Sequence, residues 1–308
     1  MAENTRSVLE RTAADQWKVL PSGLTVLVRP MPGYSGTHVI YATRFGSIDR
    51  DFRLGEREVH LPAGVAHFLE HKMFEDEDGD AFAKFAKTGA NANAFTAFDR
   101  TCYLFTATEQ LDESLDVLLG MVGHPYFTGQ TIAKEQGIIG QEIKMYDDSP
   151  DWRLITGLCE CLYHSHPIRS DIAGTVESIA EITPEMLYDC CKAFYAPGNM
   201  VLAAAGSTSM EQILAACARH GLMDEVMSQR GGAPAPPGAD DAGGGRKDHC
   251  HAHRKALLRS GLQRRAAAFR RPAQRDAVRA HPLLHLRRDV AALPPPLRRG
   301  PDRPGLRR

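Results

Sequence analysis

The sequence predicts an α+β fold, a sandwich of one sheet and several helices, followed by a disordered tail. Segments with strand-like alternation and segments with helical periodicity are mixed without a regular alternation of strands and helices. These patterns cover residues 1–230, which hold 19 Lys+Arg and 32 Asp+Glu, a net charge of −13. Residues 231–308 show neither pattern and have a net charge of +12. We therefore expect a folded domain over residues 1–230 and a separate tail over residues 231–308.

The elements of the domain follow from hydrophobic periodicity and from the residues that interrupt it. Residues 17–29 alternate around Pro21-Ser22-Gly23, which predicts two strands joined by a turn. Residues 74–80 include a run of acidic side chains and predict a solvated loop. The other predicted elements, in chain order, are a strand over 37–46, a helix around 67–71, a helix over 80–88, two strands within 91–107, helices over 111–123, 134–145, 151–163 and 184–194, a strand over 200–206 and a helix over 208–220.

The most informative segment is the pentapeptide His67-Phe68-Leu69-Glu70-His71. In a helix the two histidines lie one turn apart on one face, so both imidazoles can reach one cation. Glu70 projects from nearly the same face, where its carboxylate can take a proton from a zinc-bound water without being a ligand. The alternative is a helix whose polar face happens to carry these residues. The metal site is favoured by neighbours that give the helix apolar surface to bury: Ala66, Phe68, Leu69, Met73 and Phe74.

A catalytic zinc usually takes three protein ligands, so we expect a third ligand from another helix. Glu135 and Glu142 are seven residues apart, which is two helical turns, and they therefore share one face of the helix predicted over 134–145. One of these glutamates can bind zinc while the other braces the ligands. The alternative is a pair of solvated carboxylates on a surface helix.

The order of these motifs along the chain gives a family resemblance. H-x-x-E-H followed some seventy residues later by E-x6-E resembles the pitrilysin/insulinase family of zinc metallopeptidases, the inverzincins. The resemblance covers about residues 15–225 and concerns the N-terminal, catalytic half of the family, a sandwich of sheet and helices. Three further segments carry it: Leu20-Pro21-Ser22-Gly23-Leu24-Thr25-Val26, the N-A-x-T segment within 91–103, and Tyr195-Ala196-Pro197-Gly198-Asn199-Met200.

The resemblance implies a role for each matching residue of the site. His67 and His71 are zinc ligands, and Glu142, the second glutamate of E-x6-E, is the third. Glu70 activates the water, and Glu135 supports the site without binding zinc directly. Zn²⁺ is therefore the expected cofactor.

The resemblance also implies how a peptide substrate is held. Asn93 and Ala94 lie beside the extended peptide, and their backbone can pair with it by β-strand addition. Members of the family generally use two similar halves that close around the peptide, in one chain or divided between two chains. Residues 15–225 contain no internal repeat, so we expect a second half that is missing from this chain or supplied by another subunit.

The sequence therefore predicts a zinc-dependent endopeptidase that hydrolyses peptides or small unfolded proteins through a zinc-bound water activated by Glu70. The alternative is a truncated or partner subunit that binds zinc and peptide but is inactive without a second half. An acidic domain argues against nucleic-acid binding. No apolar run approaches the roughly 20 residues that span a bilayer, and residues 1–6 lack the apolar core of a secretory signal. We therefore expect a cytoplasmic protein with no membrane partner.

Seven cysteines are scattered along the chain. Cys159-x-Cys161 with His164 and His166 nearby is compatible with a second metal site. Buried, reduced thiols are the expected state in a reducing cytosol. We therefore predict neither a disulfide nor a structural metal.

The tail differs from the domain in composition. Residues 231–308 contain sixteen Arg and ten Pro, and they contain no Glu, Ile, Thr, Tyr, Asn, Met or Trp. One interpretation is a basic tail for nucleic acid or membrane surfaces. The other, which we favour, is a gene segment read out of frame, because GC-rich codons encode Arg, Pro, Ala and Gly in every frame.

We predict that residues 231–308 form no stable domain and are dispensable for folding of the rest. Their few, aperiodic apolar side chains cannot offset an ordering cost of roughly 1–2 kcal/mol per residue of backbone. Limited trypsin digestion should remove the tail first and leave a core that ends near Arg230. A protected fragment within residues 240–308 would contradict this prediction.

Overall fold

The computed structural model describes residues 15–77 and 79–224, so the predictions for the tail lie outside the described residues. Ten strands and eight α-helices make up this part of the chain. In chain order they are β1 Gln16–Val19, β2 Thr25–Pro30, β3 Thr37–Thr43, β4 Asp51–Leu54, β5 Arg57–His60, α1 Val65–Lys72, β6 Glu75–Asp76, β7 Gly79–Asp80, α2 Ala81–Thr88, β8 Asn91–Thr96, β9 Thr101–Ala107, α3 Leu111–Gly123, α4 Gly129–Asp147, α5 Pro150–Leu162, α6 Val176–Ala180, α7 Pro184–Phe194, β10 Met200–Gly206 and α8 Met210–Arg219.

A six-stranded mixed sheet organises these elements. Its strand order is β1-β2-β10-β3-β9-β8. β2 and β10 run parallel, and the other neighbouring pairs run antiparallel. β1 and β2 form the predicted hairpin, with Trp17 opposite Leu27. β8 lies at one edge of the sheet, so one side of its backbone faces away from the other strands.

One face of the sheet carries the core. Along β3, Val39 and Tyr41 are buried, whereas His38 is exposed and Ile40 is only half-buried. This period of two shows that one face packs against helices while the other stays partly open. The two layers confirm the predicted α+β sandwich. Fully buried side chains from both layers form the core: Leu24, Val26, Phe105, Leu202, Phe68, Leu69, Leu115, Leu118, Ile139 and Ile213.

The helices that carry the two sequence motifs pack against each other. α1 contacts α4 on one side and the strands β8 and β9 on another. α4 spans 19 residues, longer than predicted, and Thr128 caps its first turn with a hydroxyl that accepts from the backbone N–H of Thr131.

Among the described residues, no helix combines the length and apolar character that crossing a membrane requires.

Two features differ from the sequence predictions. Residues 51–60 form the β4–β5 hairpin, which was not predicted because its short strands bury few side chains, Phe52 and Val59 among them. The acidic segment is not a solvated loop, because Glu75–Asp76 pairs with Gly79–Asp80 as a two-residue ladder. Glu75 accepts a hydrogen bond from the buried Lys72 ammonium, and Asp76 accepts one from Lys84.

The start of α1 is set by a close backbone contact. Gly64 precedes the helix with φ +91°, a left-handed conformation that side chains disfavour. A Cβ atom at this position would overlap the carbonyl oxygen of Ala173. Ser178 donates its hydroxyl to the carbonyl oxygen of the preceding Ala63 at 2.8 Å. The segment around 173–178 therefore fixes where α1 begins.

Gly64→Ala should destabilise the folded protein more than the same substitution at Gly33. We expect a loss of about 2–5 kcal/mol in the free energy of unfolding, about 1–2 kcal/mol from the left-handed conformation and about 1–3 kcal/mol from overpacking against Ala173. Gly33→Ala is the control, because Gly33 has φ +84° but no atom within 4 Å of an added Cβ. Urea unfolding of both variants measures the difference. Equal midpoints would show that the contact with Ala173 does not constrain α1.

Candidate metal centre

The motif helix α1 is buried along nearly its whole length. Seven of its eight residues are buried, and His67 and Glu70 are only 3% and 2% exposed. A helix that turned its polar face to water would expose these side chains. Polar groups in such a position need partners inside the protein, because burial without a hydrogen bond or ion pair is costly.

Three potential ligand side chains converge between α1 and α4. His67, His71 and Glu142 each offer one ligand atom, and these atoms all lie within 4.8 Å of one another. The Nε2 of His67 is 3.7 Å from Oε1 of Glu142, and the Nε2 of His71 is 3.5 Å from its Oε2. Within residues 15–77 and 79–224, this is the group of His, Cys, Asp and Glu side chains whose geometry could hold a metal ion.

Glu135 contacts the opposite side of His71. Its Oε1 lies 2.9 Å from His71 Nδ1. A carboxylate can only accept, so Nδ1 carries the proton and donates it, which leaves the Nε2 lone pair on the side of Glu142. Burial by itself would lower the pKa of His71, but the hydrogen bond to Glu135 and the negative charges of Glu70 and Glu142 outweigh it and raise that pKa. The local field therefore favours positive charge at this position.

Both glutamates of E-x6-E lie inside the site, although not in equivalent places. Glu135 is buried, and the side chain of Glu142 is 19% exposed. The interpretation of two solvated carboxylates on a surface helix is therefore wrong. Glu142 faces both imidazole Nε2 atoms, whereas Glu135 contacts Nδ1 of one histidine.

Glu70 is connected to the edge strand of the sheet. Thr96, the last residue of β8, donates its hydroxyl to Glu70 Oε2 at 2.6 Å. A short hydrogen bond to a buried carboxylate helps to fix its orientation. Thr96 is the last residue of the N-A-x-T segment, and its contact with Glu70 was not predicted.

Asn93 and Ala94 lie in the same edge strand. The Oδ1 of Asn93 accepts a hydrogen bond from the backbone N–H of Ala94 at 2.8 Å. Asn93 is exposed, whereas the side chain of Ala94 is buried towards the core. The backbone donor that was predicted to meet a peptide is thus bonded to the neighbouring side chain in this structure.

Tyr146 is a site residue that the sequence analysis missed. It follows Glu142 by four residues in α4, and its hydroxyl donates to Glu142 Oε1 at 3.0 Å. The i, i+4 spacing was visible in the sequence and could have suggested this contact. The C-x-C pair lies in α5, where Cys159 is partly exposed and Cys161 is exposed.

The region that forms this site matches a known protein family. Residues 57–176 match the family described as Insulinase (Peptidase family M16). The matched stretch includes all of α1 and all of α4, and therefore both motifs.

Individual similar proteins agree with this family match. The uncharacterized zinc protease YmfH of Bacillus subtilis is 53% identical over 197 residues, which cover 63% of this chain and 46% of that protein. The structure of an M16-like peptidase from Alicyclobacillus acidocaldarius is 41% identical with a TM-score of 0.67, over 72% of this chain and 53% of that chain. A peptidase M16 inactive domain from Pseudomonas fluorescens shares the fold, with 21% identity and a TM-score of 0.60 over 72% and 52% of the two chains.

The chain spans about half the length of these three proteins. Three findings agree on the same family. They are the relatives named as zinc proteases, the likeness to an M16-like peptidase structure, and the family match across both helices of the site. The region that holds both motifs therefore resembles the insulinase family, peptidase family M16.

Proposed function

We propose that this chain is the zinc-bearing half of a zinc-dependent endopeptidase that hydrolyses peptides or small unfolded proteins. The observation that carries the proposal is the donor set of His67, His71 and Glu142 beside the buried carboxylate of Glu70. The match of residues 57–176 to a peptidase family and the similarity to relatives named zinc proteases support it. A buried cluster of this kind suits a cation, because its carboxylates bring negative charge into a region of low dielectric.

The donor set fits zinc in its chemistry, and Glu142 lies at a suitable distance from both histidines. Two imidazoles and one carboxylate are a common catalytic combination, and they leave a coordination position open. Ligand atoms bound to one zinc at about 2.0–2.1 Å lie roughly 3.4 Å apart in tetrahedral directions and at most about 4.2 Å apart. The distances of 3.7 Å and 3.5 Å from Glu142 to the two histidines fall within this range. His67, His71 and Glu142 would hold the ion, and Glu135 would orient His71 through Nδ1.

Glu70 is proposed as the general base. When bound, zinc would polarise the scissile carbonyl and make water a stronger acid. Glu70 would take a proton from the attacking water and return it to the leaving amine. The Thr96 hydroxyl keeps the carboxylate of Glu70 in one orientation, so the base is held before a substrate arrives.

We propose that the edge strand β8 binds the peptide through its backbone. Pairing along Asn93 and Ala94 would grip an extended chain with little dependence on its side chains. The N–H of Ala94 would exchange its bond to Asn93 Oδ1 for one to the peptide. A second half would close over the substrate, which agrees with a chain that spans about half the length of these relatives.

A second candidate is a partner subunit that binds zinc and peptide but turns over nothing by itself. It is favoured by the half-length match to relatives. Peptide hydrolysis measured with and without an added second half separates the two candidates. Turnover by the chain alone excludes the inactive subunit.

Zinc binding should depend on the three proposed ligands in a graded way. The purified chain should hold about one zinc ion, and His67→Ala or His71→Ala should abolish binding, because two remaining ligands hold zinc weakly. Glu142→Gln should weaken binding strongly and Glu135→Gln less. Metal analysis after dialysis, with chelator competition, measures both content and affinity. Loss of zinc in Glu135→Gln but not in Glu142→Gln would reverse the proposed roles of the two glutamates.

Glu70→Gln should retain zinc and lose hydrolysis, because an amide cannot accept the proton. In an assembly made active by a second half, cleavage of a quenched fluorescent peptide should fall by about 10²–10⁴-fold. Glu113→Gln is the matched control, because Glu113 is an exposed glutamate in α3. Unchanged turnover in Glu70→Gln would remove Glu70 from the proposed role.

A further inference from the structure

We propose that Tyr146, Trp152 and Asp171 form a positioning chain that holds Glu142 towards the two histidines. This inference rests on the proposed zinc site. The chain begins at the Tyr146 hydroxyl, which donates to Glu142 Oε1 at 3.0 Å. This is the same oxygen that lies 3.7 Å from Nε2 of His67. Without the tyrosine hydroxyl, the Glu142 carboxylate would lose one of the contacts that restrict its rotation.

Trp152 holds the ring of Tyr146. The two ring centroids are 5.3 Å apart with an interplanar angle of 34°. Tyr146 lies near the end of α4, and Trp152 lies in the first turn of α5, so the pair bridges the two helices. Both residues are half-buried, and aromatic packing of this kind restricts the positions that the tyrosine ring can take.

Asp171 holds the indole of Trp152. Its Oδ2 accepts from the indole N–H, and its Oδ1 accepts from the backbone N–H of Ala173 at 2.9 Å. The carboxylate is therefore fixed from two directions. Since the indole donates to a charged acceptor, this bond is stronger than one between neutral groups.

The chain returns to the helix that carries the histidines. The carbonyl oxygen of Ala173 packs against Gly64 so closely that a Cβ atom there would overlap it. Gly64 precedes α1, which carries His67 and His71. The contacts thus form a closed circuit from α1 through residues 171–173, α5 and α4 back to the site. This circuit fixes the separation between Glu142 and the imidazoles, which a metal ion would otherwise have to impose.

Removing one hydroxyl tests the circuit. Tyr146→Phe keeps the aromatic ring but removes the donor to Glu142, and we expect the dissociation constant for zinc to rise about 10–100-fold, the usual effect of losing a group that orients a ligand. Chelator competition with Zn²⁺ measures it on the full chain. Tyr34→Phe makes the same chemical change at an exposed tyrosine and should leave the affinity unchanged. Thermal unfolding of the zinc-free variants shows whether they remain folded.

Tryptophan fluorescence emission gives a second measurement, made on protein that retains Tyr146. The protein contains two tryptophans, and Trp17→Phe removes the one that is 70% exposed. Zn²⁺ should then change the emission of Trp152, because neutralising Glu142 alters the bond to Tyr146, and Tyr146→Phe should suppress that change.

The outcomes separate this inference from the proposed function. Two results would overturn the positioning chain and leave the zinc site intact. One is equal zinc affinity in the Tyr146→Phe variant and the unmodified protein. The other is zinc binding that leaves the fluorescence emission of Trp152 unchanged. A failure of the unmodified chain to bind zinc would overturn both. If Tyr146→Phe does not fold, the emission response of the Trp17→Phe chain decides the question.

Discussion

The contact between α1 and α4 buries charged groups that neither helix could bury alone. Glu70 and Glu135 are almost fully buried, and His67 is buried beside them. Burial of an ionised carboxylate without a partner would cost several kcal/mol. Here Glu70 is hydrogen-bonded to Thr96, and Glu135 is hydrogen-bonded to His71. The packing of the two helices and the pairing of these groups therefore depend on each other, and a divalent cation between them would offset the remaining negative charge.

A second contact, between α1 and β8, connects the proposed chemistry to the proposed substrate strand. β8 supplies Thr96 to the base and, three and two residues earlier, presents Asn93 and Ala94 at the sheet edge. A peptide paired with this edge would be aligned by the strand that orients Glu70. Rigid elements hold both functions, which suits catalysis because small displacements of reacting groups have large effects on rate.

Local patterns in the sequence predict much of this structure. The helix Pro184–Phe194 and the strand Met200–Gly206 have the predicted bounds, because uninterrupted periodicity and flanking breakers define both. The i, i+4 spacing of His67 and His71 requires their proximity once α1 is helical. Glu142 was singled out only by family resemblance, since spacing treats it and Glu135 alike.

Most of the features that were not predicted depend on contacts between distant segments. The ion pair of Lys72 with Glu75 is an exception, because the two residues are three positions apart and the ladder beside them is equally local. The packing of Ala173 on Gly64 joins residues more than one hundred positions apart. The circuit through Tyr146, Trp152 and Asp171 requires the same long-range arrangement, although the spacing of Glu142 and Tyr146 was a usable local signal.

The coordination shell of zinc bound to this chain tests the central claim most directly. We expect the zinc K-edge X-ray absorption spectrum of the loaded chain to show two imidazole nitrogens and carboxylate or water oxygens at about 2.0–2.2 Å. His67→Ala should abolish the binding that gives this spectrum. A sulfur shell at about 2.3 Å would indicate thiolate ligands, as Cys159 or Cys161 would supply. That result would contradict a metal centre built by α1 and α4.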